Sequence, residues 1–195
     1  MSTAFRGKTL QEYLEQENRT GVKHEYYRGE TFAMVGGTPR HALIATNVLR
    51  ESSEALKGRP CVAYNGDLRI KVDPSGLYTY PDASIICGEL ELDGELSDTV
   101  LNPTVVMEVL SESTEKYDRG QKSAHYRRIP SLQALVLISQ ARPLVECFTR
   151  HESGGWLLTE ASEPGETLVL DPVGIAIPLA EIYRDVSFDP PPTSR

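Results

Sequence analysis

The run LYTYPDASIICGEL, residues 77–90, has the apolar content of a buried strand, yet Pro81 and Asp82 stand in its middle. Proline brings no N–H to a sheet ladder and belongs at an edge, a bulge or a strand start. A carboxylate among apolar residues needs a partner, because burying it unpaired is costly. The stretch limits how the chain can pass through a sheet, and it raises the question of what Asp82 is for.

Hydrophobic periodicity predicts the elements around it. TLQEYLEQE sets Leu10, Tyr13, Leu14 and Glu17 at helical spacing behind Thr9 as N-cap. Residues 22–37 read as a hairpin turning at Arg28-Gly29-Glu30. In PRHALIATNVLRESSEALKG a helical stripe runs through Ala42, Ala45, Leu49, Ser53 and Leu56, and Gly58 ends it. Strands are predicted in CVAYN, DLRIKV, YTYPDASIIC and, after an acidic loop, PTVVMEVL.

A helix over 114–128 should then stop at Pro130, and the continuous apolar run ALVLIS suits a central strand. PLVECFTR and GWLLTEA make an antiparallel pair turning at Gly154-Gly155, and LAEIYRDV is a closing helical turn. Runs of strands with a few inserted helices predict an α+β or mixed α/β class with a mixed sheet. One domain is expected over 1–186, with 187–195 as a mobile tail.

Composition narrows the function classes. With 195 residues, 39% hydrophobic and 25% charged, the chain has the makeup of a soluble globular domain. The N-terminus becomes charged too soon for a signal peptide, and no apolar run approaches the roughly 18–20 residues of a membrane span. A cytoplasmic location and no membrane partner are the expectations. A net charge of −8 argues against a surface coated for nucleic acid but leaves room for a local basic strip. No Gly-rich phosphate loop of the GxGxxG or GxxxxGK type is present. Cys61, Cys87 and Cys147 are widely spaced with no CxxC, and read as small buried apolar residues rather than zinc ligands.

Strand alternation sorts the acids. Tyr80, Asp82, Ser84 and Ile86 share one face of their strand. Val106, Glu108 and Leu110 share another, with Val105, Met107 and Val109 opposite, so Glu108 interrupts an apolar face near a strand end. Two acids in neighbouring strands call for a cation. On the helix that follows, Asp118–Lys122 and Lys122–Tyr126 are both spaced i, i+4, which lets Lys122 return over the Glu108 strand. The same spacing also suits an ordinary surface pair. Asp82 could equally be a turn residue after proline, and Glu108 a strand-end acid paired to an arginine. Asp67, in NGDLRIKV, reads as a turn residue.

These residues resemble the Uma-two family of the PD-(D/E)XK, restriction-endonuclease-like superfamily. The resemblance runs through HEYYRGE, GDLRIKV, YPDASIICG, VVMEVLSESTEKYDRGQKSAHYRRIPSLQALVLIS and LAEIY, about residues 10–185. Its most specific part is the succession PD, then E-V-L-S-x-S-T, then D-R-G-x-K-x-x-x-Y-R-R. It implies a restriction-endonuclease-like core, a central mixed β-sheet flanked by helices. It also implies an endonuclease acting on DNA with Mg²⁺ or Mn²⁺, working as a homodimer.

Asp82 matches the aspartate of PD, and Glu108 the acid of (D/E)XK. Leu110 stands where that motif's lysine would be, and Lys122 on the helix takes its place. Glu25 matches a further acid of the family's N-terminal segment. Catalysis would then fall to Asp82, Glu108, Lys122 and Glu25, with Asp82, Glu108 and the Val109 carbonyl holding the metal. Lys116, Arg119, Arg127 and Arg128, on the helix with Lys122, are the candidates to hold substrate phosphates, with Arg69 and Lys71 upstream. The alternative is a nuclease-fold nucleic-acid-binding or regulatory module without turnover.

Overall fold

The computed structural model describes residues 7–34, 37–73, 75–94 and 96–188. Of the tail expected at 187–195, residues 189–195 lie outside the described residues.

The chain opens with α1 (Leu10–Thr20), held by a capping box in which Thr9 and Glu12 satisfy each other's backbone N–H. The hairpin follows as β1 (His24–Tyr27) and β2 (Glu30–Ala33). Its turn uses Arg28 and Gly29 at positive φ, the primed geometry that suits a two-residue connection. Then come α2 (Pro39–Ala55), β3 (Cys61–Asn65), β4 (Arg69–Val72), β5 (Leu77–Thr79) and β6 (Ala83–Cys87). The two-residue β7 (Thr99–Val100) precedes β8 (Val105–Leu110).

One continuous helical stretch comes next: α3 (Glu115–Tyr117), a π turn over Asp118–Lys122, and α4 (Ser123–Tyr126). Strands β9 (Ala134–Ser139), β10 (Val145–Arg150) and β11 (Trp156–Ala161) follow, the last two an antiparallel pair as predicted. The hairpin of β12 (Thr167–Leu170) and β13 (Ile175–Pro178), absent from the sequence reading, leads into α5 (Leu179–Ile182).

A six-stranded sheet in the order β11-β10-β9-β8-β6-β3 forms the centre. Only β8 and β9 run parallel in it, and the α3–α4 stretch is the crossover that a parallel pair requires. A five-stranded sheet, β2-β1-β5-β4-β7, lies beside it.

The break between β5 and β6 accounts for Pro81. The run 77–87 is not one strand: Leu77–Thr79 belongs to the five-stranded sheet and Ala83–Cys87 to the six-stranded one. Pro81 and Asp82 are the link between them, where no ladder N–H is needed. Gly66 packs so closely that a Cβ there would lie 3.3 Å from the Pro81 carbonyl oxygen.

The two faces of the central sheet bury different layers. Val105, Met107, Val109, Ala83 and Ile85 pack with Ile44 and Val48 of α2 and with the β12–β13–α5 unit. Val106, Leu110, Leu135 and Leu137 pack with Tyr126, Ile129 and Leu132 and with Ile70, Val72 and Leu77 of the second sheet. Each such aliphatic side chain contributes about 1.5–3 kcal/mol by leaving water.

Two sequence expectations need correction. Of the predicted α2 stripe, Leu56 is buried and Ala45 and Leu49 pack against the core, while Ala42 and Ser53 face solvent; the fully buried positions within the helix are Ile44, Asn47, Val48 and Ser52. Both registers have i, i+4 spacing, and the one with the larger β-branched residues wins the core. Cys61 and Cys87 are not independent apolar residues: they stand opposite each other on β3 and β6 and form a disulfide, leaving Cys147 buried and free.

Candidate active site

The two-sheet junction and the helical crossover meet at one buried ammonium. Lys122 is 4% exposed, and its Nζ donates to Glu25 Oε1 and to Glu108 Oε1, both at 2.8 Å. Asp118 Oδ1 stands 3.7 Å away. The π turn brings Asp118 and Lys122 inward together: the Ser123 N–H reaches back to the Asp118 carbonyl, and Ser123 Oγ also donates to it. An inserted residue of this kind is frequent at functional sites.

Each acid has a second support. Tyr126 OH donates to Glu108 Oε1 at 2.6 Å, and Thr79 Oγ1 to Glu25 Oε1 at 2.6 Å. Thr114 Oγ1 donates to Asp118 Oδ2 at 2.5 Å. The β6–β8 register pairs Ala83 with Met107, which sets Asp82 beside Glu108 at the strand end. Asp82 Oδ2 accepts the Val109 N–H at 2.7 Å and has His41 Nε2 at 3.4 Å.

The electrostatics follow from burial with too few positive charges. Burial raises Glu108, to about 8, and Asp82 and Asp118 push the same way against the Lys122 ammonium. Burial also raises Asp118. Burial works against Glu25 too, but Lys122 and hydrogen bonds from Thr79 and Tyr117 hold its carboxyl below the usual range. Lys122 resists the desolvation that would discharge it: Glu108 foremost, with Tyr126, Glu25 and Asp118, holds it well above its ordinary value. His41 is raised chiefly by its hydrogen bond to Asp82.

The described residues include no group of three His, Cys, Asp or Glu side chains already gathered around one metal position. The donor chemistry nonetheless fits a hard divalent cation. Mg²⁺ characteristically takes one or two carboxylates and keeps several waters. Asp82 and Glu108 are adjacent carboxylates whose mutual repulsion a cation would relieve. A cleft of about 1420 Å³ opens between the start of α2 and the ends of β8 and β9, with Leu110 on its wall but none of Glu25, Asp82, Glu108 and Lys122. Arg40 is the one basic residue on its wall, against Glu112, Glu115 and Asp185.

The sequence model of the Uma2 family, described as "Putative restriction endonuclease", matches residues 10–180. The chain belongs to the Uma2 family.

Two relatives come from Synechocystis sp. (strain ATCC 27184 / PCC 6803 / Kazusa). The uncharacterized protein slr1290 is 33% identical over 187 residues, covering 96% of this chain and 97% of its own length. The uncharacterized protein sll1609 is 33% identical over 152 residues, covering 78% and 86%. Among solved structures, "a putative nuclease belonging to DUF820" from Anabaena variabilis ATCC 29413 superposes with a TM-score of 0.68 at 16% identity. That match covers 84% of this chain and 91% of the other, and it establishes a shared nuclease-type fold.

Within this Uma2 fold the four residues expected to be catalytic separate into a tight group and a neighbour. Glu25, Glu108 and Lys122 are in direct contact, and Asp82 adjoins through Val109 and the β6–β8 register. Lys122 is not part of a surface pair. Leu110, in the place of the motif's lysine, is buried in the apolar cluster around Tyr126.

The expected phosphate contacts divide differently. Arg69 and Lys71 are engaged with acidic partners. Arg69 is buried against Glu17 and Asp98, and Lys71 is paired with Asp73 and Asp93. Arg119 is engaged with Glu115 and Glu146, and Arg127 lies over the Phe148 ring. Lys116 and Arg128 are exposed, and after burial itself Arg128 and Arg28 each lower the His125 pKa. Asp67 is an exposed turn residue, paired with Lys23 and Asn65. Among the described residues no helix is long and apolar enough to cross a membrane.

The sequence reading passed over His41, Thr79 and Tyr117 as site residues. It noted Tyr126 only by spacing. Tyr126 carried a usable signal, four residues beyond Lys122; His41, from a helix on the other face of the sheet, carried none.

Proposed function

We propose that this Uma2 protein is a divalent-cation-dependent endonuclease that hydrolyses DNA phosphodiester bonds, with two copies pairing so that each cuts one strand of a duplex. The observation that carries this reading is the buried Lys122 ammonium clamped between Glu25 and Glu108, with Asp82 on the adjoining strand end. A fold needs no such arrangement: replacing buried ionic groups with apolar ones is often neutral or stabilising.

Asp82, Glu108 and the Val109 carbonyl are the groups to hold Mg²⁺ or Mn²⁺. The bound cation would supply charge neutralisation at the scissile phosphate and a lowered pKa for a water. Lys122 has a defined part, because its neighbours keep it protonated. It serves as a hydrogen-bond donor and positive charge for the phosphoryl oxygens rather than as the base. Glu25 and Tyr126 fix the ammonium and the Glu108 carboxylate so that neither reorganises during the reaction. Exposed Lys116, Arg28 and Arg128 are the groups for flanking phosphates.

The test is plasmid nicking with Mg²⁺, with Mn²⁺ and with EDTA, using Asp82→Ala as control. Cleavage that needs the metal and disappears in Asp82→Ala is expected. Metal-independent cleavage, or cleavage undiminished in Asp82→Ala, overturns the proposal.

A further inference from the structure

The site is built from both sides of the central sheet, and the side facing α2 has no part in the roles described above. His41 lies in the first turn of α2, whose buried face packs on Ala83, Ile85, Met107 and Val109. That is the face opposite Glu108 and the α3–α4 crossover. The imidazole therefore reaches Asp82 around the end of the sheet, with Nε2 3.4 Å from Oδ2.

One further contact fixes the ring. On its other side the ring rests on Gly37, where a Cβ would fall 2.6 Å from Nδ1 and 3.0 Å from the His41 Cβ. A side chain at position 37 could be seated only if the ring or the Gly37 backbone shifted. Gly37 has no positive φ, so the space, not the backbone, is what its lack of a side chain provides.

We propose that His41 is the positioning residue of Asp82, seated on Gly37 and holding Oδ2 so that Oδ1 is the oxygen presented to the cation. Asp82 needs this support. It stands in a two-sheet link after a proline, with no ladder of its own, and its side chain is 21% exposed. Oδ2 is held from two directions, by the Val109 N–H and by His41, while no described residue hydrogen-bonds Oδ1. Partners that orient metal-binding side chains typically change metal affinity or activity about 10–100-fold when removed.

This inference rests on the metal-site reading above, and the experiment separates the two. Mn²⁺ affinity is measured by titration calorimetry, and plasmid cleavage as a function of Mn²⁺ concentration, for wild type, His41→Ala, His41→Gln and Gly37→Ala. Thermal melting without metal serves as the folding control.

His41→Ala and Gly37→Ala should each weaken Mn²⁺ binding about tenfold or more. Their cleavage curves should move to higher Mn²⁺ with the metal-free melting temperature little changed. His41→Gln, which keeps an N–H donor, should recover part of the affinity. Gly37→Ala is the sharper variant, since it crowds the ring without altering it, and it decides the matter if His41→Ala does not fold.

Wild-type affinity in both His41→Ala and Gly37→Ala overturns the role of His41 and leaves the metal site standing. A His41→Gln variant as weak as His41→Ala, or a nitrogen coupling from His41 to bound Mn²⁺ in pulsed EPR, makes the imidazole something other than a positioning group. No Mn²⁺ binding by the wild type overturns both readings.

Discussion

Two buried cations among the described residues, Arg69 and Lys122, sit among carboxylates, and they are built on opposite plans. Arg69 donates to Glu17 Oε2 at 2.9 Å, to Asp98 Oδ1 at 2.6 Å and to Thr99 Oγ1 at 2.8 Å. Tyr80 OH completes Glu17 at 2.7 Å, and the Tyr13 and Tyr80 rings flank the guanidinium. One buried acid faces one buried cation, and the second acid, Asp98, is 70% exposed and left in water.

Lys122 instead faces Glu25, Glu108 and Asp118, all buried, with Asp82 beyond them. Arg69 is balanced and its donors are distributed over fixed acceptors. Lys122 is outnumbered. An unbalanced buried cluster is poor construction for stability alone, and it is the arrangement that a visiting cation would complete.

The largest effects should come from removing each cation in turn. Lys122→Met should lower cleavage by about 10²–10³-fold, the usual loss when one charge-stabilising group is removed. It should also destabilise the metal-free protein, since three acids lose their partner, with Mn²⁺ restoring much of the melting temperature. Arg69→Met should lose roughly 3–5 kcal/mol, because it strands Glu17 in the interior. Mn²⁺ should not restore it, and cleavage per folded molecule should stay near wild type. Melting with and without Mn²⁺, beside nicking rates corrected for folded fraction, distinguishes the two. Equal rescue of both variants by Mn²⁺ would break the comparison.

A smaller effect concerns pH. Glu108 has a folded-state pKa raised to about 8 from 4.5. Its contribution is therefore fully present below the unfolded value and is lost as pH rises through about 8. Metal-free wild type should lose melting temperature between pH 5 and pH 8.5, and Glu108→Gln should lose several degrees less over the same span. Parallel curves for the two proteins would mean that the Lys122 cluster is already balanced, as the Arg69 cluster is.

The smallest effect is at the rim. Arg128→Ala should weaken DNA binding only a few-fold and reduce its salt slope by about one phosphate contact. Arg119, tied to Glu115 and Glu146, should act on stability instead when changed to Ala. Binding isotherms at several salt concentrations test both.

Much of this arrangement was legible in the chain because strand alternation is local. It put Glu108 on one face with Val106 and Leu110, and Val105, Met107 and Val109 on the other, as the two core clusters have it. It could not place the sheet boundary, since YTYPDASIIC has the same pattern whether it is one strand or two. The α2 stripe was off by part of a turn for a related reason: Ala45, Leu49 and Leu56 do meet the core, but only the size of Ile44 and Val48 against the sheet put those two at its centre. Arg69 looked like a phosphate ligand because its partners, Glu17 and Asp98, come from α1 and from the loop before β7.

The sequence by itself determined the candidates: the acids on strands, the lysine on the crossover helix, the proline where a ladder must end, and the family to which they belong. These depend on spacing within one element, and covalent geometry sets that. The tertiary structure alone decided which of them meet. Glu25 reaches Lys122 from a second sheet, His41 reaches Asp82 from the far face of the first, and Cys61 finds Cys87 across a ladder. Such contacts join residues whose separation along the chain is unrelated to their distance in space, and packing of the two sheets, not local preference, brings them together.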